Sequence, residues 1–186
     1  MLTASALGYA EALAGCVAEA LPLLERVREE AERAGCLAAQ ALSVTWLSEA
    51  SLVAGHWEEV RASATRALAR TQQERSHEAW ALRLLGERAA QCHPLGGEPA
   101  EAPYRQALAL ADALGMRPLQ AHGHLSLGTL YATTGQREQA RAELSTAIAI
   151  YRAMAMTFWL PQAAVVLAHG EERYRPGWCL VRRKAV

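Results

Sequence analysis

The side chains that could do chemistry in this chain are scattered rather than grouped. His122 and His124 are two residues apart, and on a helix this spacing points their rings about 200° apart, so they cannot bind one ion together. The pair Cys92-His93 would need two further ligands nearby to hold zinc. No CxxC pair and no metal-ligand spacing occurs among the cysteines, which are Cys16, Cys36, Cys92 and Cys179. We therefore expect no metal site, no cofactor and reduced thiols.

A catalytic nucleophile is not indicated either. The chain contains no GxxxxGK[ST], GxGxxG or GxSxG motif. The segment Gly123-His124-Leu125-Ser126-Leu127-Gly128 departs from GxSxG by one residue. It lies inside a predicted helix, where the strained turn that exposes such a serine cannot form. We predict that the chain is not an enzyme.

Charge and hydropathy narrow the possible partners. The chain carries 19 basic and 19 acidic residues, a balance that gives the body of the domain no electrostatic footprint for nucleic acid. The basic cluster Arg182-Arg183-Lys184 is of the kind that usually aids solubility. No apolar run approaches about 18 residues, the length that a membrane-spanning helix needs. We expect a cytoplasmic protein that contacts neither nucleic acid nor membrane through this domain.

The composition indicates an all-α fold. Apolar residues make up 52% of the chain, and many of them are Ala, the best helix former. There is a single Phe, and no run of β-branched residues alternates over the length of a strand. Helices therefore have to position any binding residues.

Residues 121–161 predict a hairpin of two amphipathic helices. The first helix carries Leu127, Leu130 and Tyr131 at helical spacing, and Gly128 allows another helix to approach closely. Gly135 then breaks the pattern. The second helix, 136–154, has one apolar face: Ala140, Leu144, Ala147, Ile148 and Tyr151. A single hairpin cannot bury these faces, so we expect neighbours of the same kind.

The hairpin recurs at a spacing of 40 residues. Three series mark the second helices: Ala20, Val60, Ala100 and Ala140; Leu24, Ala64, Tyr104 and Leu144; and Val27, Ala67, Ala107 and Ala147. The first helices follow with slight slippage at Leu7, Leu47, Leu85 and Leu127, each followed by a small residue, and turn glycines stand at Gly15, Gly55 and Gly135. We predict a repeat domain over 1–169 and an irregular basic tail over 170–186. The repeats cover about 1–35, 38–74, 76–115 and 117–155, and a capping helix, 157–169, covers the last hairpin with Phe158, Trp159, Ala163, Val165 and Val166.

These residues resemble the tetratricopeptide repeat family, whose hairpins carry Leu-Gly, Tyr, Gly, Ala, an aromatic and Ala at set offsets. The fourth copy has Leu127-Gly128, Tyr131, Gly135, Ala140, Leu144 and Ala147, and the third has Leu85-Gly86, Ala100, Tyr104 and Ala107. The first two copies match less well, with Glu11 and Ser51 at the aromatic position, and no copy has the usual closing Pro. The longer period is similar to that at the C-terminal end of bacterial cyclase-linked ATPases and of LuxR-type and MalT-type regulators. The resemblance implies a right-handed solenoid of four helix-turn-helix repeats.

In that fold, one flank of each first helix lines the concave side of the solenoid. By register, this flank holds Tyr9, Trp46, Glu49, Trp80, Arg83, Glu87, His122 and Thr129. Aromatic residues and Arg dominate protein-binding hot spots, so we expect a peptide or a partner domain to bind there. Trp46 and Trp80 could instead pack between layers. We expect His124 to pack where the family has a large residue, and His122 to be a partly exposed surface group.

The resemblance implies a non-catalytic interaction or scaffolding module, part of a larger bacterial signalling protein. The alternative is a ligand-responsive sensor, in which a small molecule or peptide changes the curvature of the array and so controls an attached output domain. Met1 falls inside the first predicted helix, with no capping helix ahead of it. Because terminal repeats normally have a polar outer face, we expect that the chain is a piece of a longer protein or self-associates through its N-terminal repeat.

Overall fold

The computed structural model describes residues 2–35, 37–69, 75–92 and 98–168. The predicted tail and His93 in the long turn of the third repeat lie outside these residues. The described ranges contain nine α-helices and no strand, which confirms the all-α prediction for them. The helices are α1 (Leu2–Leu13), α2 (Val17–Arg33), α3 (Leu37–Ala54), α4 (Trp57–Ala69), α5 (Arg75–Cys92), α6 (Glu98–Ala113), α7 (Arg117–Thr133), α8 (Arg137–Ala153) and α9 (Leu160–Ala168).

The turns between helices repeat one hydrogen-bonding pattern. At the end of α7, the Gly135 N–H donates to the Ala132 carbonyl and the Gln136 N–H donates to the Tyr131 carbonyl, as in a Schellman motif. This motif needs a residue with positive φ, and glycine adopts that conformation without steric cost. Five turns have glycine there, with φ between 64° and 93°: Gly15, Gly35, Gly55, Gly115 and Gly135. The three predicted turn glycines are among them.

The last helix starts later than predicted. Residues 157–159 form a turn, so α9 begins at Leu160 rather than at 157. Trp159, Ala163 and Val166 are buried, as predicted for residues that cover the last hairpin, whereas Phe158 and Val165 are exposed. The prediction therefore identified the inner face of this helix and overestimated its extent.

The chain divides into two compact units, and the division falls within α5. In the first unit, up to Leu84, α1 packs on α2, both pack on α3, and α3 packs on α4. In the second unit, from Leu85, α6 packs on α7, α7 packs on α8, and α9 packs on α8 and α7. In both units, therefore, consecutive helices pack together. Two helices also contact the next but one: α1 contacts α3, and α7 contacts α9.

The predicted 40-residue series form the core. Every member of the three second-helix series is buried except Ala67, whose side chain lies outside the described part. Among the first-helix leucines, Leu47 and Leu127 are buried and Leu85 is partly buried. The prediction is wrong for Leu7, which is 55% exposed. Leu47 is buried because it packs against residues of α1 and α2, and no such pair of helices flanks α1 on its other side in the described chain.

Small residues on the first helices let the second helices come close. A Cβ atom added at Gly8 would lie 2.9 Å from Leu24 Cγ, and one added at Gly128 would lie 2.6 Å from Leu144 Cγ. Gly86 faces Tyr104 in the same way. In the second repeat, Ser48 replaces the glycine and Ala64 takes the place of the large residue, and both are buried. The side-chain volume lost on one helix compensates for the volume gained on the other.

Candidate functional site

In the first unit, two predicted site residues form an aromatic pair on successive first helices. The Tyr9 ring on α1 and the Trp46 ring on α3 are parallel, with an interplanar angle of 6° and centroids 6.2 Å apart. Both side chains remain partly exposed, and Trp46 also packs against the core cluster of Leu24 and Leu47. Trp46 thus packs between layers and still offers part of its ring to solvent.

Trp80, Arg83 and Glu49 form a second group in the same unit. The guanidinium of Arg83 on α5 forms a buried ion pair with the Glu49 carboxylate on α3, and the Arg83 Cζ atom lies 5.3 Å from the centroid of the Trp80 ring. Glu49 is only 3% exposed and Arg83 only 2%, whereas Trp80 is partly exposed. The two charged residues therefore do not line an open surface, because each compensates the buried charge of the other.

In the second unit, Glu87 is also buried. The hydroxyl of Ser126 on α7 donates a hydrogen bond to the Glu87 carboxylate on α5. Thr129, one turn further along α7, is partly exposed, and its hydroxyl donates to the Leu125 carbonyl within the same helix. Of these two predicted contact residues, only Thr129 reaches the surface.

His122 lies in a buried polar and aromatic cluster, so the expectation that it is partly exposed is wrong. It is 8% exposed, and its Nδ1 shares a hydrogen bond of 2.8 Å with the Tyr151 hydroxyl on α8. The ring of Trp159, just before α9, stands nearly perpendicular to the imidazole, with centroids 4.7 Å apart. His122 is enclosed because α8 and the turn before α9 both pack over it.

His124 is partly buried, and its Nδ1 lies 2.6 Å from a Glu143 carboxylate oxygen on α8. It therefore contacts α8, the second helix of its own hairpin, as His122 does through Tyr151.

Three of these contacts share one place in the repeat. Tyr9 with Trp46 joins α1 to α3, and Glu49 with Arg83 joins α3 to α5, both in the first unit. Within the second unit, Glu87 with Ser126 joins α5 to α7. Each contact links successive first helices at nearly the same register, by ring stacking, by an ion pair and by a hydrogen bond respectively. We call these three pairs the inter-repeat contacts.

Another polar cluster in the second unit was not predicted. The Tyr131 hydroxyl donates to Glu101 Oε1 at 2.9 Å, and Arg105 donates to both Tyr131 and Glu101. The hydrogen bond from Tyr131, together with Arg105, lowers the pKa of Glu101, and burial raises the pKa of Tyr131. The spacing of Glu101 and Arg105 on α6 is the familiar i, i+4 ion pair, but the tyrosine that joins them is on α7.

Across the described ranges, no three His, Cys, Asp or Glu side chains are grouped so that they could hold a metal ion. None of the helices within those ranges combines the length and the apolar character that a membrane crossing requires. The groups of the candidate site stack, pair and hydrogen-bond with one another. No protein-family model matches the chain, and no curated protein is similar enough in sequence to count as a match.

Proposed function

We propose that this protein is a non-catalytic interaction or scaffolding module that binds a peptide or a partner domain on the flank of its first helices. The observation that supports this most directly is the row of partly exposed aromatic residues in the first unit: Tyr9, Trp46 and Trp80. They stand on three successive first helices, α1, α3 and α5. Large aromatic residues of this kind dominate the binding energy of protein interfaces.

The neighbours of these aromatic residues favour binding by holding the rings in place. Tyr9 and Trp46 stack on each other, and Trp80 lies next to the Arg83 guanidinium. A ring that is already immobilised loses less conformational entropy when a partner binds. In this proposal, Glu49 and Arg83 position α3 against α5, and the partner contacts the aromatic rings.

The repeat pattern extends this proposal from the aromatic residues to the whole repeat domain. The four hairpins belong to a right-handed solenoid of tetratricopeptide type, which is part of a larger cytoplasmic bacterial signalling or regulatory protein. In the second unit, Thr129 is the predicted residue that can contact a partner, and His122 and Glu87 hold α7 in place.

The proposal is tested with peptides selected from a random phage-displayed library on the immobilised protein. Fluorescence polarisation of a labelled selected peptide gives its dissociation constant. Trp46→Ala and Trp80→Ala should each weaken binding at least 10-fold, since truncation of a hot-spot aromatic residue costs about 2 kcal/mol or more. Trp57→Ala is the matched control, because Trp57 is a partly exposed tryptophan on a second helix of the same unit.

Equal binding by the wild type and by both site variants would contradict the proposal, as would a loss caused only by Trp57→Ala. Arg83→Ala is not a suitable probe, because it leaves the buried Glu49 carboxylate without its charge partner and destabilises the fold. A tryptophan fluorescence change with small metabolites, in the absence of any bound peptide, would favour the ligand-responsive alternative.

A further inference from the structure

The three aromatic residues of the proposed site share an uncharged surrounding. We call Tyr9, Trp46 and Trp80 the aromatic row. The residues three and four positions from each ring are its neighbours on the same side of the helix, and all of them are among the described residues. At these positions the acidic and basic residues are Glu49 and Arg83, which form a buried ion pair with each other. The aromatic row therefore has no uncompensated charge beside it on its own helices.

The other ionisable residues of α1 and of the first-unit part of α5 do not change this. Glu11 and Glu78 are each two positions from a ring of the aromatic row, and this spacing turns a side chain about 200° around the helix. Arg75 is five positions before the ring on α5, about 140° away. His77, one turn before the same ring, has its Nδ1 atom 3.4 Å from the Thr45 hydroxyl, a neutral partner.

The second helices of the first unit differ from the first helices in this respect. Arg28 pairs with Glu32 on α2 at 2.9 Å, and Arg61 pairs with Glu58 on α4 at 3.0 Å. Trp57, the tryptophan of α4, is next to Glu58 in sequence and one turn from Arg61. In the first unit, the tryptophan on a second helix is thus flanked by charge, whereas those of the aromatic row are not.

The rings of the aromatic row also have neighbours at their faces. Tyr9 and Trp46 are stacked on each other, and the Arg83 guanidinium lies 5.3 Å from the centroid of the Trp80 ring. An aromatic ring attracts a cation through its face, so a basic side chain of a partner gains less from rings that are already stacked or paired. An acidic side chain gains nothing, because the face of a ring is itself negative.

Building on the proposed function, we propose that the segment bound by the aromatic row is uncharged and contacts Tyr9, Trp46 and Trp80 through apolar side chains. A charged side chain brought onto the row gives up its water and finds no opposite charge there. An apolar side chain has no such cost, and it removes ring surface from water. The aromatic row thus selects its partner by rejecting acidic and basic residues alike.

The first test measures salt dependence with the labelled peptides selected on the immobilised protein. At about pH 8, where histidine is neutral, the dissociation constant should change less than about 3-fold between about 50 and about 500 mM NaCl. An alanine scan of the peptide identifies its contact residues. Replacement of a contact residue by Glu or by Arg should weaken binding at least about 10-fold in either case.

The second test places a charge beside the aromatic row. Ala6 is exposed on α1, one turn before Tyr9, so Ala6→Glu and Ala6→Arg add a charge at a surface position. Both variants should weaken binding of the same peptide by about 5-fold or more, whichever the sign of the charge. Ala18→Glu and Ala18→Arg are the matched controls, because Ala18 is exposed on α2, and both should bind like the wild type. Circular dichroism verifies that all four variants keep the helix content of the wild type.

Opposite effects of Ala6→Glu and Ala6→Arg, or no effect of either, would overturn the inference. Selected peptides rich in acidic or basic residues, with a dissociation constant that rises about 10-fold or more with salt, would also overturn it. In these cases, loss of binding in Trp46→Ala and Trp80→Ala would leave the proposed function standing. Peptides that bind those two variants as well as the wild type would contradict the proposed function, and the uncharged partner with it.

Discussion

The two units are built on the same 40-residue pattern and fill it with different side chains. In the second unit, Tyr104, Tyr131 and Tyr151 are all fully buried. The first unit has no aromatic residue at the corresponding positions: Leu24 and Ala64 match Tyr104, Glu11 and Ser51 match Tyr131, and Ala31 matches Tyr151. A buried tyrosine removes far more apolar surface from water than alanine or serine does.

In place of this buried apolar surface, the first unit has more buried polar residues, and some of them join its helices. Its buried polar residues include Ser43, Thr45, Ser48, Glu49, Ser51, Ser63 and Arg83. Polar contacts of this kind orient helices but add less net stability than apolar burial does. We infer that the first unit opens at a lower free energy than the second.

The largest expected effect is in the first unit. Arg83→Ala leaves the Glu49 carboxylate buried without its guanidinium, and we expect the free energy of unfolding in urea to fall by about 3–5 kcal/mol. Hydrogen exchange should show the loss in α1–α4. The double variant Glu49→Leu with Arg83→Met removes both charges and should be within about 1 kcal/mol of the wild type. If the double variant is as unstable as the single one, the ion pair does not explain the loss.

The next largest effect concerns a register position that holds leucine in both units. Leu24 and Leu144 both lie against a first-helix glycine, and replacement of either by Ala should cost about 2–5 kcal/mol. Leu24→Ala should lower hydrogen-exchange protection in α1–α3, and Leu144→Ala in α7 and α8, with Leu127→Ala acting in the same way as Leu144→Ala. The exposed Leu114→Ala is the control and should change stability by less than about 0.5 kcal/mol. An unchanged melting temperature for Leu144→Ala would show that its packing does not stabilise the second unit.

The sequence is most informative about the second helices. Each has one apolar face, so all five residues predicted for α8 are buried, and the positive φ of the turn glycines agrees with their predicted role. The first helices are less predictable, because α7 is buried on several sides and its buried residues include His122 and Ser126. A single apolar stripe cannot describe such a helix.

The candidate site illustrates the same limit. Register identified Glu49 and Arg83 as neighbours on one flank, but residues 34 positions apart carry no local signal that they pair and become buried. His122 was misplaced because its partners, Tyr151 and Trp159, belong to other helices and approach it only in the folded chain. Pairing across helices depends on tertiary packing, which a periodic pattern does not contain.

A smaller effect concerns Tyr131 in the second unit. Tyr131→Phe removes the hydroxyl that donates to Glu101, and we expect a loss of about 0.5–1.5 kcal/mol near neutral pH. The folded-state pKa of Glu101 is lowered, chiefly by this hydrogen bond. A lowered carboxyl pKa contributes stability above the unfolded-state pKa, and this contribution is lost as pH falls through the folded-state value.

Urea unfolding of the wild type and of Tyr131→Phe across the acidic range therefore checks both the size and the sign of this effect. The difference between the two proteins should narrow as the pH falls, because Glu101 becomes protonated in both. Tyr104→Phe is a matched control in the same unit, since it also removes the hydroxyl of a buried tyrosine but keeps Tyr131, Glu101 and Arg105. A difference for Tyr131→Phe that widens in acid would show that Glu101 is not the group involved.

The smallest effect lies in the turn between α8 and α9, where Ala155 takes the conformation that glycine has at the equivalent turns. Its φ is 55°, and its N–H donates to the Arg152 carbonyl as that of Gly135 donates to the Ala132 carbonyl. Alanine is strained there by about 1–2 kcal/mol, and glycine relieves this at the cost of a more flexible unfolded chain. Ala155→Gly should therefore stabilise the second unit by about 0.5–1 kcal/mol in urea unfolding. Gly135→Ala, the reverse change at the turn between α7 and α8, should destabilise it by a similar amount. A neutral Ala155→Gly beside a destabilising Gly135→Ala would contradict this prediction. It would mean that α9 unfolds before the rest of the second unit, so that strain at its turn does not limit the stability of that unit.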